Sequence, residues 1–131
     1  MPRLQLADVD THYQQTGAGP DVILIHAFTS NLSVWMMTGI TEVLNDYRVT
    51  MYDLRGHGAS SVPAAHYAST HMVNDLIQLM DQLEIRSAYL VGHSYGGVIA
   101  MHAASLHPER VRGVILSDTY FPGLRELEPD M

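Results

Sequence analysis

The chain has no cysteine, and that one absence excludes disulfides, thiol nucleophiles and cysteine-ligated zinc together. Charge is sparse as well. Only 16% of the 131 residues are charged, the net charge is −7, and no basic cluster occurs, so nucleic acid and anionic membrane surfaces are not expected partners. No apolar run approaches spanning length, and no basic segment followed by an apolar one opens the chain, which makes a soluble cytoplasmic protein the expectation. Internal repeats, low-complexity tracts and linkers are missing, and 131 residues leave room for one domain. No histidine pair has the i, i+4 spacing of a helical metal site, so no metal is expected.

What is present is a globular composition, 47% apolar, with eight methionines scattered as core filler. Arg3–Val9 and Thr11–Thr16 resemble short strands, the second ending at the turn signal Gly17-Ala18-Gly19-Pro20. Asp21–His26 contains Val22-Ile23-Leu24-Ile25, a continuous apolar run suited to a strand buried on both faces. Trp35–Leu44 reads as a helix and Arg48–Tyr52 as a strand, followed by the glycine-punctuated loop Asp53–Gly58. Over Ser69–Leu83, residues Met72, Val73, Leu76, Ile77, Met80 and Leu83 fall on one helical stripe, with Ser69 as N-cap. A strand at Ala88–Val91, a helix to about His107 stopped by Pro108, and a strand at Val111–Ser117 complete the pattern. The tail Pro122–Met131 is polar and carries no evident element. Alternating strands and helices with such runs predict an α/β fold, a mostly parallel twisted sheet of about six strands with flanking helices.

One segment carries chemistry. Gly92-His93-Ser94-Tyr95-Gly96 lies between an apolar strand and a small-residue helical run, the setting of a nucleophile elbow. The turn crowds its own flanks, and Gly92 and Gly96 lack the Cβ that would clash there.

Four segments in order make the chain resemble the N-terminal half of an α/β-hydrolase of the esterase, haloperoxidase and lactonase type. They are His26-Ala27-Phe28-Thr29-Ser30, Asp53-Leu54-Arg55-Gly56-His57-Gly58-Ala59-Ser60, the elbow Gly92–Gly97, and His107-Pro108-Glu109-Arg110-Val111. Ala27 departs from the glycine that relatives usually carry. The resemblance implies one partial α/β-hydrolase domain over residues 1–131, without the cap and the last two strands. It implies Ser94 as nucleophile, the backbone N–H groups of Phe28 and Tyr95 as oxyanion donors, and His26 and His93 as supports of the oxyanion loop and elbow. It implies no cofactor. Serine at the elbow argues against epoxide hydrolase or haloalkane dehalogenase chemistry, where members of the family use aspartate.

A serine hydroxyl needs a base, usually histidine oriented by a carboxylate. Relatives place acid and histidine after the serine, on later strands. After Ser94 the only histidines are His102 and His107. His102 lies eight residues along the same helix, roughly 12 Å of rise away. Neither serves Ser94. His57 reads as structural, and His12, His66 and His71 read as surface or loop residues. Asp118 follows the last strand and is an alternative acid, though a loop cap is the favoured reading; Asp53 is expected to hold the loop after it. Phe28 and Trp35 are expected to line an apolar acyl pocket. The expectation is therefore a serine hydrolase of esters, thioesters or lactones, weak or inactive as this half alone. The alternative is a non-catalytic binding or assembly module. In either case the 111–117 strand edge and its apolar face call for cover, by self-association or a complementing polypeptide.

Overall fold

A computed structural model describes residues 2–119. The expectation for 122–131 lies outside the described residues. Six strands form one sheet: β1 (Arg3–Gln5), β2 (Asp10–Thr16), β3 (Asp21–Ile25), β4 (Arg48–Tyr52), β5 (Ala88–His93) and β6 (Val111–Ser117). Their spatial order is β1-β2-β4-β3-β5-β6. The pairs β1/β2 and β2/β4 are antiparallel, while β4/β3, β3/β5 and β5/β6 are parallel. The helices are α1 (Ser33–Thr38), α2 (Ile40–Val43), α3 (Ser69–Gln82) and α4 (Tyr95–Leu106), with a short 3-10 turn at Pro108–Arg110.

The central strand β3 explains the architecture. Its side chains alternate between two apolar clusters, Ile23 and Ile25 on one face and Val22 and Leu24 on the other. Strands β4 and β5 repeat the division, Tyr52 and Leu90 against Met51 and Val91. The first face is covered by α3, through Met72, Val73, Leu76, Leu79 and Met80, and by α4, through Ile99, Ala100 and Ala103. The opposite face is covered more thinly, by Leu32 and Trp35 with Val34, Ile40 and Leu44 at its margin. A groove of about 400 Å³ remains there, lined by Val22, Ile40, Leu44, Tyr47, Tyr89, Val91 and Ile115. Strand β6 borders it; among the described residues its only sheet partner is β5, and Ile115 is 63% exposed.

Several boundaries differ from the sequence reading. The first strand stops at Gln5. The helix expected over Trp35–Leu44 is two short helices, because Gly39 adopts φ 74° and ends α1 in a left-handed cap. The N-cap of α3 is Ala68 and not Ser69, whose hydroxyl is engaged elsewhere.

Candidate active site

Parallel pairing sets the site. Strands β3 and β5 are neighbours, with Ile25 opposite Gly92. Phe28 and Tyr95 each lie three residues beyond that pair, so both chains leave the sheet at the same end. Their rings meet edge to face at 4.7 Å. Ser94 occupies the turn between β5 and α4 with φ 52° and ψ −116°, a backbone state that costs about 1–3 kcal/mol and persists only where neighbours enforce it. They do so here. The Ser94 N–H donates to the Ser117 carbonyl at 2.8 Å, and the Gly97 N–H donates to the Ser94 carbonyl at 2.9 Å. A Cβ at Gly96 would fall on the carbonyl of Ile25, and one at Gly92 on the backbone of Gly96 and Gly97, which is the crowding expected from the sequence.

Ser94 is half-buried, and its hydroxyl has no hydrogen-bond partner among the described residues. The backbone N–H groups of Phe28 and Tyr95 likewise have no acceptor among the described residues. The Ser94 hydroxyl thus stands at the start of a twelve-residue helix, whose N-terminus carries partial positive charge.

The loop bearing Phe28 is held by histidines with no free nitrogen. Buried His26 donates from Nδ1 to the Ala27 carbonyl at 2.7 Å and accepts the Leu54 N–H on Nε2 at 3.0 Å. A carbonyl only accepts and an N–H only donates, so the ring is the neutral Nδ1–H tautomer. Burial pushes its pKa down, in keeping with that state. His57 is fixed in the same way, between the Arg55 carbonyl at 2.9 Å and the Thr29 N–H at 3.0 Å. The Phe28 ring packs edge to face on it at 5.1 Å. His93 is half-buried and reaches only the Ser117 hydroxyl, at 3.4 Å. None of these imidazoles bonds Ser94.

Asp53 is a deeper anchor than sequence reading gave it. It accepts the Leu32 N–H at 2.8 Å, the Ala59 N–H at 2.9 Å and His12 Nδ1 at 2.8 Å, so it joins the loops after β3 and β4 as well as β2. His12 is therefore not a surface residue: it is 4% exposed. Its burial follows from a carboxylate partner 41 residues away, which no local pattern announces. Arg55, also unflagged, is 4% exposed and forked between Asp75 and Asp8 at 2.7 Å each. Those hydrogen bonds, Asp75 first, raise its pKa further.

Trp35 is packed in the second core cluster, 7% exposed, with Leu32, Val49 and Met51. Asp118 is exposed, with φ 50°, and bonds no histidine among the described residues.

Residues 20–131 match the profile of the alpha/beta hydrolase fold family. The chain belongs to the α/β-hydrolase family. It is 38% identical over 108 residues to an epoxide hydrolase of Caballeronia sordidicola, covering 81% of this chain and 33% of that protein. It is 36% identical over 118 residues to 3-oxoadipate enol-lactonase 2 of Acinetobacter baylyi, covering 88% and 44%. Among solved structures, a hydrolase from Pseudomonas aeruginosa superposes with a TM-score of 0.86 at 31% identity, covering 98% of this chain and 50% of that one. The chain thus spans between a third and a half of these three proteins. Among the described residues its sheet has six strands of that fold. Among the described residues, no helix is long and apolar enough to cross a membrane, and no three acidic, histidine or cysteine side chains are grouped to hold a metal ion.

Proposed function

We propose that Ser94 is the nucleophile of a hydrolase acting on ester, thioester or lactone bonds by acyl transfer to water. The observation that carries this reading is a serine at a strained strand-to-helix turn, with the Phe28 and Tyr95 N–H groups left without acceptors among the described residues. In the reaction, Ser94 Oγ attacks the acyl carbon, and the carbonyl oxygen gains negative charge facing those amides. Each fixed donor lowers the barrier by about 3 kcal/mol. Serine, not aspartate, at the elbow favours acyl transfer over the epoxide chemistry in some relatives' names.

The proton acceptor lies outside residues 1–131. Among the described residues no histidine hydrogen-bonds Ser94: His26 and His57 have both nitrogens committed, His12 is buried against Asp53, and His93 and His102 meet the hydroxyls of Ser117 and Ser69. The chain by itself is then weak or inactive. The groove beside β6 and the open β6 edge are where a complementing polypeptide, or a second copy, would dock. The same surface supports the second reading, a non-catalytic assembly module that keeps the elbow as scaffold.

The experiment joins this chain to the second half of the enol-lactonase relative, which brings later strands and their side chains. Hydrolysis of aryl esters, thioesters and lactones that is lost in Ser94→Ala supports the proposal. Hydrolysis that survives Ser94→Ala, or activity confined to epoxides, would overturn it. A folded chimera with no activity would favour the scaffold reading.

A further inference from the structure

A second serine stands beside an imidazole, away from the elbow. Ser69 opens α3 and His102 lies on α4, and Ser69 Oγ is 2.9 Å from His102 Nδ1. Both residues are half-buried, so the pair is reachable from solvent. His102 differs from His12, His26 and His57 in what its nitrogens face; His93 also meets a hydroxyl, at the longer distance of 3.4 Å. In His26 and His57, Nδ1 meets a carbonyl and must carry the proton. In His12 it meets a carboxylate. In His102 it meets a hydroxyl, which can donate, and Nε2 has no partner among the described residues. The tautomer with an Nδ1 lone pair is therefore available, and that lone pair points at a nucleophile's proton. The N–H groups of Ser69 and Thr70 also lack acceptors among the described residues.

We propose that Ser69 and His102 form a second nucleophile–base pair, independent of Ser94, that accepts acyl groups from small activated aryl esters. Ser69 Oγ forms a bond to the acyl carbon while its proton passes to His102 Nδ1. The bond from that carbon to the aryl oxygen then breaks, and the aryloxide departs with the electron pair. His102 returns the proton to solvent. Hydrolysis follows when water, deprotonated by His102, attacks the acyl-serine and the carboxylic acid leaves as Ser69 Oγ recovers a proton. The exposed position suits a small acyl group with a good leaving group, not a bulky ester that would need an enclosing pocket.

The test treats the full chain with p-nitrophenyl acetate, follows p-nitrophenolate release, and maps the acetyl group by peptide mass spectrometry. The chain has no lysine, so side-chain amines do not compete for the label. Exposed Ser105 on α4 serves as the internal reference. General-base assistance is worth on the order of 10²-fold or more. Ser69 should therefore acetylate about 10²-fold faster than Ser105, and His102→Gln should bring it to the Ser105 rate. Ser69→Ala should remove the release burst and its peptide signal, which keeps the test decisive if one variant folds poorly. Acetylation of Ser69 no faster than Ser105, or unchanged in His102→Gln, would overturn the proposal. Acetyl found on Ser94 alone would overturn it too, while leaving the proposed role of Ser94 intact.

Discussion

Replacing Asp53 by alanine strips three donors of one acceptor. The carboxylate is 2% exposed and takes hydrogen bonds from the Leu32 N–H, the Ala59 N–H and His12 at 2.8–2.9 Å. An alanine methyl supplies no acceptor, and the site is shut away from water. Each buried donor left without a partner costs about 1–3 kcal/mol. Partial relaxation of the two loops brings the expected loss to about 3–6 kcal/mol, a large share of the roughly 5–15 kcal/mol typical of a domain. With a urea slope of about 2 kcal/mol per molar, the unfolding midpoint drops by about 1.5–3 M. Asp53→Asn keeps one acceptor oxygen and should lose about half as much. Amide exchange adds a local readout: the Leu32 and Ala59 N–H groups should lose protection before the α3 amides do. A loss below about 1 kcal/mol, with both amides still protected, would refute the claim that this carboxylate ties the loops to β2.

Two further outcomes follow from the geometry. Gly96→Ala puts a methyl against the carbonyl of Ile25 and should cost about 1–3 kcal/mol or more in thermal unfolding; an unchanged melting temperature would mean that the β3–α4 contact is looser than described. His26 has a depressed pKa when folded, so the unfolded chain binds the proton more readily. Its contribution to stability is present above about pH 6.5 and is lost as pH falls below it. Urea midpoints between pH 8 and pH 5 should fall less steeply in His26→Asn than in the parent chain, and parallel slopes would contradict the neutral buried ring.

The sheet was legible because burial writes itself locally. Val22–Ile25 is apolar at every position, which suits a strand with two covered faces and no other ordinary element of that length. The glycines of the elbow were legible for a similar reason, since a tight turn leaves room for little else. What stayed hidden depends on contacts between distant residues. His12 looked like a surface histidine because its partner, Asp53, arrives from another strand. Arg55 gave no sign of burial for the same reason, with Asp8 and Asp75 far along the chain. Ser69 had the composition of an N-cap, yet its hydroxyl turns to His102 and Ala68 takes the cap position. The break between α1 and α2 had a visible signal in Gly39, which the apolar spacing across it outweighed.

The central claim is that the Ser94 hydroxyl is poised at the elbow and lacks only a base. Labelling with a fluorophosphonate, mapped to position 94 and run with and without free imidazole, tests it on the chain as it stands. Slow labelling is expected without imidazole, and a rate that climbs with imidazole concentration. Fast labelling without imidazole, or none at Ser94 at any concentration, would contradict it.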